Sequence, residues 1–81
     1  MKPDAANNPA TMNRIGYMYK KGLGIKENPE EAYKWYRNAA EAGFAAAQFN
    51  LGLMYQHGKP IPENMNEAIQ WFRKAADQNY P

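Results

Sequence analysis

Apolar and polar positions repeat with a helical period in four stretches of this chain. Ala32, Trp35, Tyr36, Ala39 and Ala40 fall at i, i+3, i+4, i+7 and i+8, and Ala68, Trp71, Phe72, Ala75 and Ala76 reproduce the same stripe. That spacing lines one buried face of a helix. Asn28, with Pro29 next and Glu31 three residues on, supplies an N-cap, a first-position proline and a reciprocal capping partner; Asn64 with Glu67 repeats the box. Gly43 and Asn79 stand where a left-handed residue would end each helix. The pattern predicts helices over 29–42 and 65–78.

Two earlier stretches carry Thr11, Ile15, Met18, Tyr19, Gly22 and Ala47, Leu51, Met54, Tyr55, Gly58 on one face, with Asn8 and Pro9 as a start signal. They predict helices over 9–21 and 45–57. The intervening loops are bent by Gly22 and Gly24, or by Gly58, Pro60 and Pro62, and Ile25 and Ile61 are expected to anchor each loop to its own helix pair. A shift of 36 superimposes the two halves, with 13 identities in the 30 pairs from Ile15/Leu51 to Phe44/Tyr80, which makes them copies of one unit. The chain thus reads as all-α: a flexible segment 1–8, then a domain 9–81 in which repeat one (9–44) and repeat two (45–80) form a short α-solenoid of two helix-turn-helix units. Gly52 recurs with Gly16 in mid-helix, where glycine costs roughly 1 kcal/mol relative to alanine. A close approach of two helices is expected there.

Ile15, Gly16, Tyr19, Gly22, Gly24, Ile25, Ala32, Trp35, Tyr36, Ala39, Ala40 and Gly43, and the second-copy series Leu51, Gly52, Tyr55, Gly58, Ile61, Ala68, Trp71, Phe72, Ala75 and Ala76, resemble the Sel-one-like repeat. This family is a relative of the tetratricopeptide repeat with a longer inter-helix loop. The resemblance covers residues 9–81. Departures are Pro60 for a loop glycine, Asn79 for the terminal glycine, and Asn28 and Asn64 where aspartate is frequent. It implies a TPR-like superhelix with right-handed stacking of four antiparallel helices, and a protein-interaction scaffold or adaptor whose partner lies in the concave groove of the first helices. By position that groove would present Asn13, Tyr17, Lys20 and Lys21 from repeat one, and Phe49, Asn50, Leu53, Gln56 and His57 from repeat two. Some tetratricopeptide proteins grip a peptide carboxylate there with lysine and asparagines. Asn50 matches one such position, but Asn13 and Tyr17 stand where lysine and asparagine would be needed.

Composition narrows the chemistry. There is no cysteine, which excludes disulfides and thiolate metal sites. Serine is absent, Thr11 is the only threonine and His57 the only histidine, so nucleophilic catalysis has little to work with, and neither an enzyme nor a cofactor is expected. His57 has no second ligand and aligns with Lys21, which fits a solvated helix end. Glu30 and Glu31 fall in a helix's first turn, where the macrodipole favours them. No signal peptide or membrane span is visible; the expectation is a soluble chain whose location the sequence leaves open. The net charge of +2 is too small to point to nucleic acid. Yet no acid lies between Asp4 and Glu27 or between Glu41 and Glu63, while Arg14, Lys20, Lys21, Lys26 and Lys59 lie in those gaps. An acidic protein or peptide segment is therefore the expected partner.

Solenoids normally need about three or more repeats. Pro81 aligns with Ala45, so the sequence stops at a repeat boundary, and Ile69, the equivalent of Tyr33, is expected to face outward with Tyr80 nearby. Self-association through that C-terminal face, or membership of a longer array, follows as an expectation. Two functional readings stand: a peptide-binding module, and a purely architectural unit whose groove holds nothing specific.

Overall fold

A computed structural model describes residues 8–79. It contains four helices in chain order: α1 (Pro9–Lys21), α2 (Pro29–Glu41), α3 (Ala45–His57) and α4 (Met65–Ala76). Among the described residues there is no strand. α2 packs against both α1 and α3, and α4 packs on α3, giving two helical hairpins stacked side by side. The expected segment 1–8 and Tyr80 lie, apart from Asn8, outside the described residues.

Three helices start as the sequence predicts. Asn8 Oδ1 accepts from the Ala10 amide (2.8 Å), Asn28 Oδ1 from Glu31 (3.2 Å) and Asn64 Oδ1 from Glu67 (3.1 Å). The reciprocal half of the capping box is replaced, because the Asn28 and Asn64 amides donate to the Tyr19 and Tyr55 carbonyls at 2.9 and 3.0 Å. Each loop is thereby tied back to the helix before it. Gly22 and Gly58 make that return possible: both are left-handed, at φ 71° and 75°, and their amides bond the Met18 and Met54 carbonyls. Backbone bonding, more than the isoleucines, holds the loops. Ile61 does pack on the cluster of Ala32, Tyr36 and Met54, whereas Ile25 is 36% exposed and lies outside that cluster.

α2 and α4 end one and two residues before their predicted limits. The amides of Gly43 and Asn79 bond the carbonyls of Ala40 and Ala76, tightening the final turn, and both residues are left-handed, at φ 97° and 64°. The core centres on Met12, Ala39, Ala40, Ala47 and Leu51, with Trp35, Trp71, Tyr33 and Tyr55 packed around it. The predicted stripe is buried throughout repeat one's α2 apart from a half-buried Trp35, but Ala76 departs from it: Ala40 is 1% exposed against α3, while Ala76 is exposed for want of a neighbour among the described residues. Gln48 is an unforeseen core member. Its Nε2 donates to the Ala40 carbonyl and its Oε1 accepts from Gln78, so its buried amide is satisfied.

Candidate partner-binding groove

The expected groove residues divide into four groups. Asn13 and Asn50 meet each other: Asn50 Nδ2 donates to Asn13 Oδ1 at 3.2 Å, joining α1 to α3 across the repeats. Phe49 is half-buried and packs on Phe72 of α4, ring centroids 5.5 Å apart at 46°, so part of it serves the hairpin. Tyr17, 46% exposed, and the exposed Lys21 and Gln56 stand outside the concavity described next.

Lys20, Leu53 and His57 come together at one cleft of about 230 Å³ on the seam between repeats. Leu53, Met54, Pro29 and Pro60 form its apolar lining, and Lys20, His57 and Lys59 line it together with, among the described residues, one carboxylate, Glu27. Position in the first helices was the signal that found three of these residues. Met54 was missed because its helical position assigned it to the packing face, and Glu27, Pro29, Lys59 and Pro60 because they belong to loops and to the start of α2. They reach the cleft because the loops fold back through the Asn28–Tyr19 and Asn64–Tyr55 backbone bonds. Lys20 and Lys21 occupy the last turn of α1, where the negative end of the helix dipole stabilises cations.

Beside this seam lies a group of tyrosines. The Tyr33 and Tyr55 hydroxyls lie 3.2 Å apart and their rings meet edge to face at 6.3 Å, while Arg37 donates to the Tyr33 hydroxyl and to Glu41. Burial, then the bond to Tyr33, pushes the Tyr55 hydroxyl up to about 12. The Tyr36 side chain is almost wholly buried and its hydroxyl has no hydrogen-bond partner; burial, then Tyr17, raises it to about 12. Neither hydroxyl is a base at neutral pH. No group of three or more metal-ligating side chains exists among the described residues. The surface offers shape, apolar area and positive charge.

Comparison with known proteins agrees with the geometry. Residues 9–44 and 45–80 each match the family profile described as Sel1 repeat. The fold is similar to the crystal structure of a Sel1 repeat protein from Oxalobacter formigenes, with a TM-score of 0.92 and 61% identity over 98% of this chain and 32% of that one. It is also similar to c5321, a protective antigen present in uropathogenic Escherichia coli strains and displaying an SLR fold, with a TM-score of 0.82 and 34% identity over 89% of this chain and 16% of that one. The chain thus spans less than a third of the length of the first and less than a fifth of the second. No curated protein matches.

Proposed function

The chain belongs to the Sel1 repeat family, a non-catalytic scaffold family whose repeats are generally protein–protein interaction modules, and we propose that it binds an acidic peptide or protein segment along its first-helix side, seated at the cleft between the repeats. The observation that carries this reading is the composition of that cleft: apolar Leu53, Met54, Pro29 and Pro60 flanked by Lys20, Lys59 and the imidazole of His57, with one carboxylate, Glu27, among the described residues. An extended segment could place an apolar side chain on Leu53 and carboxylates toward the cations. Tyr17, exposed on α1 outside the cleft, offers a further aromatic contact with a polar tip, the kind of side chain enriched at interfaces.

The test is a fluorescence-anisotropy titration with two labelled peptides of matched length, one alternating aspartate with leucine and one alternating lysine with leucine. The acidic peptide should bind and the basic one should not, and Leu53→Ala with Lys20→Ala should abolish binding while leaving the helical circular dichroism intact. Equal binding of both peptides, or binding untouched by the double substitution, would overturn the proposal.

A further inference from the structure

Two side-chain amides that meet can close on each other with two hydrogen bonds. Asn13 and Asn50 make only one, from Asn50 Nδ2 to Asn13 Oδ1 at 3.2 Å. The Asn13 amino group, a donor, and the Asn50 carbonyl oxygen, an acceptor, are left over, with no other partner among the described residues. Both side chains are half-buried, yet the Tyr36 hydroxyl is the one buried side-chain polar atom without a partner among the described residues, so the two leftover groups keep access to solvent. Their place on the helices relates them to the cleft. Asn13 precedes Lys20 by seven residues on α1, and Asn50 precedes Leu53 by three and His57 by seven on α3. Seven residues are two helical turns, about 10 Å of rise. α1 and α3 meet at the amide pair and again at the cleft, so they share one track with the amides at one end, Lys20 and His57 at the other and Leu53 between. An extended chain, advancing about 3.3 Å per residue, covers that distance in about three residues.

We infer that Asn13 and Asn50 read the main chain of the bound segment, the Asn13 amino group donating to one of its carbonyls and the Asn50 carbonyl accepting from one of its amides. The inference rests on the reading that the cleft holds an acidic segment, and it adds the conformation that segment must have. In an extended chain the N–H and C=O of one residue lie on the same edge and are free to bond outward, one donor and one acceptor that match the leftover acceptor and donor of the asparagine pair. A helix has already used those groups internally. The partner is therefore an extended acidic stretch and not an acidic helix. Over the amide pair its side chain is read by neither asparagine, but its N–H is required, so proline is excluded there. About three residues further along, leucine-like and acidic side chains reach Leu53 and the cations.

Fluorescence anisotropy tests this with a labelled peptide carrying one leucine, two aspartates on one side of it and three alanines on the other, made in both chain orders so that one order lays the alanines over the amide pair. Methylating each alanine nitrogen in turn removes one N–H at a time. With the wild-type chain, one of these methylations should weaken binding by about 2- to 12-fold, the effect of one net hydrogen bond, and the others should change little. In Asn50→Ala that same methylation should cost nothing further, while replacing the leucine by alanine should cost as much as it does in the wild type. Circular dichroism establishes that the variant is folded, and the scan on the wild-type chain decides the question without it. Binding that tolerates every methylation, or a loss that persists undiminished in a folded Asn50→Ala, would overturn the inference and leave the acidic-segment reading standing. Failure of both unmethylated peptides to bind would overturn that reading, and the inference with it.

Discussion

A Cβ atom placed on Gly52 would come within 2.6 Å of Cε1 and 2.7 Å of Cδ1 of Phe72, so α3 and α4 meet ring against bare backbone. Phe49 packs on the same ring. In repeat one, Gly16 stands in the same relation to Tyr36, with an approach of 2.9 Å. The glycine that weakens each helix is what lets the hairpin close.

Gly52→Leu should accordingly destabilise the chain by about 1–3 kcal/mol, the usual cost of forcing extra methylenes into a packed contact. Urea melts of the two proteins check it. A midpoint unchanged or raised would mean that the ring moves aside without cost.

Tyr36 and Phe72 hold equivalent places, but only Tyr36 carries a hydroxyl, and that hydroxyl is buried with no partner. An unsatisfied buried hydroxyl costs roughly 1–3 kcal/mol. Tyr36→Phe keeps the ring against Gly16 and removes the penalty, so its urea midpoint should rise, by about 1 kcal/mol in stability. A fall of similar size would show that the hydroxyl has a partner in solution.

The helices were legible in the sequence because their signals are local. Asn28 and Asn64 cap, Gly22 and Gly58 turn left-handed, and the alanine and tryptophan stripes face inward, each for reasons contained within a few residues. Gly52 was legible too, since a mid-helix glycine repeated 36 residues apart needs a close neighbour to offset its cost. What the sequence hid depends on what lies beside a residue in space. Ile25 and Ile61 are identical in pattern, yet only Ile61 packs on the Ala32, Tyr36 and Met54 cluster. Ala40 and Ala76 likewise part company according to whether a helix covers them. Gln48 reads as polar surface, and only the Ala40 carbonyl and Gln78 explain its burial. The cleft mixes first-helix residues with loop residues, and the loops reach it through backbone bonds that no side-chain pattern announces.

Alkaline pH should weaken the fold earlier than tyrosine content alone implies. Tyr36 and Tyr55 are raised from 10.0 to about 12 in the folded chain, both chiefly by burial. Below pH 10 both states keep these protons. Between 10 and 12 the unfolded chain releases them while the folded chain holds them, so the unfolded state binds fewer protons and stability falls as pH rises. Thermal melts over that interval should show a declining midpoint, with a shallower decline in Tyr36→Phe. A flat profile, or an unchanged slope in the variant, would contradict the assignment.

Charge at the cleft makes the most direct prediction about binding. Lys20 and Lys59 lie there with Glu27 as the only carboxylate among the described residues, and all three border solvent, where a single ion pair contributes roughly 0.2–1 kcal/mol, or about 1.4- to 5-fold in affinity. Removing one cation by Lys20→Ala should therefore weaken binding of the alternating aspartate–leucine peptide only a few-fold, and removing the opposing charge by Glu27→Gln should strengthen it by a comparable factor. Opposite signs from two substitutions at the same cleft separate an electrostatic role from general damage, because misfolding would weaken both variants. Salt supplies the independent check. The screening length contracts from about 10 Å at 0.1 M to about 3 Å at 1 M, so the difference between the two variants should shrink toward nothing as salt rises, leaving the apolar contribution of Leu53. If the difference persists at high salt, or if Glu27→Gln weakens binding, the cations are not what the acidic segment recognises.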